Sequence, residues 1–156
     1  MTTLPKLYYN AHVLVVDDDP VSREIVESLL ADVGVTARTA EHGQHALDIL
    51  SEAGPDAFDL VLLDIQMPLT DGFAVTRELR TQAEFTLLPV IAITAQTMEH
   101  EKKFGAESGM NGQLGKPLDV ATFYSMLAKW IPASKHGRDP DTMRDSVLPA
   151  AIPRFS

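Results

Sequence analysis

Two apolar patterns alternate along this chain. Short runs dominated by branched aliphatic residues, 12–16 (HVLVV), 60–63 (LVLL) and 89–93 (PVIAI), read as strands buried on both faces. Between them the apolar positions recur at helical spacing. Val21, Ile25, Val26, Leu29, Leu30 and Val33 form one such stripe, and Ala46, Leu47, Ile49 and Leu50 the next. A third helix carries Phe73, Ala74, Val75 and Leu79 as far as Arg80, and a fourth, weaker one is predicted over 97–108. The charged stretch 99–103 reads as its solvated face, and Gly105 costs that helix about 1 kcal/mol relative to alanine. A last helix buries Phe123, Met126, Leu127, Trp130 and Ile131. Two shorter strands, 35–39 (VTART) and 111–115, complete the set.

Turn and cap residues agree with these bounds. Asp19 and Pro20 open the first helix and Gly34 closes it; Gly54 and Pro55 break the second; Asp71 and Asp119 cap the third and the last. Strand and helix therefore alternate five times. That order predicts an α/β fold, a doubly wound parallel sheet with helices on both faces, because each parallel crossover needs a helix and turns right-handed. Residues 1–10 read as a short lead-in in which Leu7, Tyr8 and Tyr9 pack locally, and 11–132 as the folded domain. The stretch 133–156, with prolines at 140, 149 and 153 and no periodicity, reads as a disordered tail.

Composition narrows the function. The 156 residues carry 22 acidic and 13 basic side chains, a net charge of −9, which disfavours binding to nucleic-acid phosphates. The absence of cysteine excludes disulfides, thiolate catalysis and cysteine-bound zinc. No apolar run approaches the ~20 residues that span a bilayer, and the first residues lack the pattern of a secretory signal, so a cytoplasmic location without membrane attachment is expected.

The chemistry gathers at strand ends. In a doubly wound sheet the carboxyl ends of the strands share one edge, where ligands bind. Asp17, Asp18 and Asp19 follow the first strand, Asp64 the third, Thr94 the fourth and Lys116 the fifth. Each has an ordinary reading alone, as helix cap, strand end or solvated lysine. Together they make a rim of clustered carboxylates that repel one another unless a cation compensates. A hard divalent cation such as Mg²⁺ prefers such oxygen ligands together with phosphate oxygens. The rim is suited to a phosphoryl group.

The motifs Val15-Val16-Asp17-Asp18-Asp19-Pro20, Leu63-Asp64-Ile65-Gln66-Met67-Pro68 with Asp71-Gly72, Ile93-Thr94-Ala95 and Gly115-Lys116-Pro117 stand in order on these elements. Over 11–131 the chain resembles the receiver domain of two-component response regulators. The resemblance implies a flavodoxin-like (β/α)5 fold with strand order 2-1-3-4-5. It implies that Asp64 accepts a phosphoryl group from a phosphohistidine, with Thr94 bonding that group and Lys116 pairing with Asp64. Mg²⁺, or Mn²⁺ in its place, would be held by Asp18, Asp64 and the backbone carbonyl of Gln66, with Asp17 acting indirectly. The implied partners are a sensor histidine kinase or a histidine phosphotransfer protein; a downstream effector protein and a homodimer are left open. Such a domain is no enzyme in the ordinary sense, since it catalyses only its own phosphorylation and dephosphorylation.

One position departs from the family pattern. Three residues before the lysine, where receivers often carry an aromatic switch, this chain has Gln113, so the expected output passes through the backbone around 97–108. Three rivals are weighed. A detached receiver of a hybrid kinase, relaying phosphate to a histidine phosphotransfer protein, fits the same motifs. A Mg²⁺-dependent phosphatase is disfavoured by Gln66, two residues after the nucleophile, where an acid is usual. A degenerate interaction module is disfavoured by the complete set of Asp18, Asp64, Thr94 and Lys116.

Overall fold

The computed structural model describes residues 7–67, 70–94 and 109–136. Five parallel strands form the central sheet: β1 (Ala11–Val16), β2 (Val35–Ala40), β3 (Leu60–Asp64), β4 (Val90–Thr94) and β5 (Gly112–Gly115). Their order is β2-β1-β3-β4-β5, as the resemblance implied, in the parallel sheet that the alternating pattern predicted. The described helices are α1 (Pro20–Asp32), α2 (Gly43–Ala53), α3 (Gly72–Arg80) and α4 (Val120–Trp130). A two-residue antiparallel pair, Gln66–Met67 with Thr70–Asp71, follows β3. The predicted helix over 97–108, the side chain of Asp71 and the stretch 137–156 lie outside what is described.

Alternation along the strands builds two cores. Val13, Val15, Leu60, Leu62, Ile91, Ile93 and Leu114 face α1 and α4, where Val26, Leu30, Phe123 and Leu127 meet them. Leu14, Val16, Val61, Leu63, Val90 and Ala92 face the opposite layer, with Ala46, Ile49 and Leu50 of α2 and Leu79 of α3. Period-two side-chain alternation explains how one uninterrupted apolar run feeds both layers.

Two parts of the helix reading need correction. Val21 and Ile25 are 61% and 52% exposed, because α1 rests on the sheet through Val26 and Leu30, which lie round the helix from them. On α3, Ala74 is exposed and the buried positions are Gly72, Thr76 and Leu79. Thr76 turns its hydroxyl back onto the Gly72 carbonyl at 2.9 Å, which lets a polar residue sit in the core. A Cβ on Gly72 would stand 2.8 Å from the Ile65 Cα, so glycine is what allows α3 to press against the chain leaving β3.

Arg80, the last residue of α3, is a hub. Its guanidinium donates to the carbonyls of Phe85 (2.6 Å), Leu88 (2.8 Å) and Gly109 (2.8 and 3.0 Å) and to Asn111 Oδ1 (2.9 Å). The same Asn111 oxygen accepts from the Val90 amide at 2.9 Å. One side chain thereby joins α3, the approach to β4 and the approach to β5.

The two ends of the described chain meet at the amino edge of the sheet. Leu7 and Tyr8 donate their amides to the Val33 carbonyl, Tyr9 to that of Lys135, and Tyr8 pairs with His136 as an antiparallel bridge. Lys135 Nζ reaches both Asp59 oxygens at 2.9 and 3.1 Å. Residues Ala133–Lys135, expected as the start of the tail, form a turn of 3-10 helix here.

Candidate functional site at the carboxyl edge of the sheet

The strands deliver their terminal residues to one place. Asp17 follows β1, Asp64 ends β3 and Thr94 ends β4; these three are 2%, 4% and 0% exposed. Lys116 follows β5 and donates its amide to the Thr94 carbonyl at 2.8 Å, continuing the ladder by one bond. Its Nζ lies 3.4 Å from Asp64 Oδ2 and 3.6 Å from Asp17 Oδ2, so one ammonium faces two buried carboxylates. Asp18 is exposed beside them, and Asp17, Asp18 and Asp64 each offer an oxygen within 4.8 Å of the others. Among the described residues this is the only group of three or more acidic, histidine or cysteine side chains so arranged.

Electrostatics make the cluster costly as it stands. Burial pushes the Asp17 carboxyl above its ordinary range, and the Asp19 amide, bonded to its Oδ1 at 2.9 Å, pulls back. The neighbouring Asp64 charge and a hydrogen bond to it push up again, and Lys116 offsets part of that. Three carboxylates against one ammonium leave a formal excess of two negative charges. An all-oxygen, doubly negative donor set fits a hard divalent cation.

Asp19 stands apart from this set. It caps α1, accepting from the Val21 amide (3.1 Å) and the Ser22 hydroxyl (3.0 Å), and those bonds hold its carboxyl below the usual range. Gln66 sits in the short pair after β3, two residues beyond Asp64. Gln113 faces the α2 and α3 side of the sheet, in register with Ala92; its amide nitrogen and oxygen are buried with no hydrogen-bond partner among the described residues. The sequence reading missed Arg23, whose guanidinium donates to the Asp17 carbonyl at 2.7 Å. The available signal was a basic residue on the first turn of the helix after the acidic loop.

A doubly wound sheet with this acidic rim defines an α/β module equipped to handle an anionic group beside a cation. The chain belongs to the response regulator receiver domain family, whose model matches residues 13–128. It is 36% identical over 122 residues to the two-component response regulator ARR22 of Arabidopsis thaliana, covering 78% of this chain and 84% of that protein. It is 33% identical over 138 residues to the sensor protein GacS of Pseudomonas syringae pv. syringae, covering 86% of this chain but 15% of the kinase. The chain thus spans a small part of the length of such sensor proteins. Among solved structures it resembles the chemotaxis protein CheY4 of Vibrio cholerae, with TM-score 0.72 and 31% identity over 78% of this chain and 98% of that one. A receiver domain is a signalling module, and the acidic cluster stands where the sequence motifs placed it.

Proposed function

We propose that Asp64 is the phosphoacceptor of this receiver, taking a phosphoryl group from the phosphohistidine of a histidine kinase or histidine phosphotransfer protein. The observation that carries the reading is Lys116 Nζ held between Asp64 and Asp17 beside Asp18, with Thr94 buried at the next strand end. An Asp64 oxygen attacks phosphorus in line, the P–N bond breaks, and the histidine nitrogen keeps the electron pair and takes up a proton. Lys116 supplies positive charge to the acceptor and then to the phosphoryl oxygens, and the Thr94 hydroxyl would donate to one of them. Asp18, Asp64 and the Gln66 carbonyl are the groups that would hold Mg²⁺, with Asp17 acting through water or by orientation. When bound, the cation would shield the repulsion between carboxylate and phosphate.

The test is intact-protein mass after incubation with acetyl phosphate and Mg²⁺. Wild type is expected to gain one phosphate only when the cation is present, and Asp64→Asn to gain none. An adduct that persists in Asp64→Asn would move the acceptor elsewhere. Similarity to both a two-component response regulator and a sensor protein fits exchange with phosphohistidine proteins in either direction.

A further inference from the structure

We propose that Arg23 is a positioning residue for the cation-binding loop, acting through the main chain of Asp17. This rests on the acidic cluster being a divalent-cation site. The ladder between β1 and β2 ends at the pair Val16 and Ala40. Asp17 makes one more strand-like bond, its amide donating to the Ala40 carbonyl at 3.1 Å, and then the chain leaves the sheet. Beyond that point its carbonyl has left the strand ladder. Arg23 supplies the donor from the first turn of α1, at 2.7 Å, with its own amide anchored on the Asp19 carbonyl at 3.0 Å.

The consequence falls on Asp18. Peptide planarity ties the Asp17 carbonyl to the Asp18 amide, so fixing one fixes the plane from which the Asp18 side chain departs. Asp18 is exposed, with an oxygen within 4.8 Å of those of Asp17 and Asp64. The loop is oriented by three bonds around Asp17: the Ala40 carbonyl, the Asp19 amide to Oδ1, and the Arg23 guanidinium. Outer partners that orient a ligand are worth roughly tenfold or more in metal affinity.

Arg23 carries positive charge beside a cation site, which by itself opposes a divalent ion. Glu41, 3.9 Å from the guanidinium and largely exposed, offsets only part of that charge. Removing the charge alone should tighten cation binding, whereas removing the positioning bond should weaken it. The two roles have opposite signs.

The experiment is calorimetric titration of the full chain with MgCl₂ for wild type, Arg23→Gln and Arg23→Lys, with thermal melts in chelator to establish that each is folded. Positioning predicts that Arg23→Gln binds about tenfold more weakly than wild type, with Arg23→Lys between them because one donor and the charge remain. Binding by Arg23→Gln as tight as wild type or tighter overturns the proposal. Should Arg23→Gln fail to fold, Arg23→Lys decides: weaker binding supports positioning, and unchanged binding overturns it. No heat of binding in folded wild type would overturn the cation-site reading itself, and this proposal with it; that result is distinct from a wild type that binds and variants that do not differ.

Discussion

Asp17 has the most to lose from the site it helps to build. Its carboxyl is raised by burial first, so the folded protein holds that proton at a pH where the unfolded chain has released it. Between the ordinary carboxylate value and the raised one, the folded state binds more protons than the unfolded, and stability falls as pH rises through that window. The deficit persists at neutral pH. In chelator, Asp17→Asn is therefore expected to be more stable than wild type at neutral pH, with the gap closing toward acid, where Asp17 is protonated in both states. Urea unfolding at the two pH values checks it, and saturating Mg²⁺ should narrow the neutral gap by compensating the wild-type charge. Asp17, Asp64 and Thr94 were legible in the sequence because a strand end is marked by where an apolar run stops, and Lys116 because it follows a short glycine-flanked strand. Arg23 was not, because its partner is a main-chain carbonyl, and nothing in the side-chain pattern shows which carbonyls a fold leaves open. Gln113 was legible as a departure in type, but its buried amide, unpaired among the described residues, was not, since that depends on the packing around β5.

At the scale of elements, the strands were easier to read than the helix faces. Both sides of β1, β3 and β4 are covered, so an apolar run suffices to find them. A helix shows only a stripe, and on α1 that stripe was drawn too wide, taking in Val21 and Ile25. How α3 is tied to its surroundings could not be read at all, because Arg80 looks like any basic residue near a helix C-terminus. Arg80→Ala is expected to destabilise the fold by about 2–4 kcal/mol, since it leaves the carbonyls of Phe85, Leu88 and Gly109 without that donor. Chemical denaturation reads this directly. Gly109→Ala should act on the same joint, because Gly109 has φ +100° and an added Cβ would stand 2.7 Å from the Arg80 side chain.

For the whole molecule, the described fold extends beyond the span the family model matches, from Leu7 to His136 against 13–128. Lys135 and Asp59 make much of that extension: the Asp59 carboxylate also accepts from the His12 amide at 2.9 Å, so the pair clamps β1, the start of β3 and the last described residues together. Lys135→Ala is expected to cost about 1–2 kcal/mol in unfolding free energy while leaving the Mg²⁺ isotherm unchanged, a separation that paired melts and titrations would check. The two functions are separable because the clamp and the acidic rim sit at opposite ends of the strands. Since β1 runs six residues, roughly 20 Å divide them. The described residues thus begin and end at one pole of the sheet, while Asp64 lies at the other. Contacts made at the acidic rim are therefore remote from the bonds that join Leu7, Tyr8 and Tyr9 to Val33, Lys135 and His136. One set of five strands thus carries two independent poles, one that closes the fold and one that gathers the acidic residues.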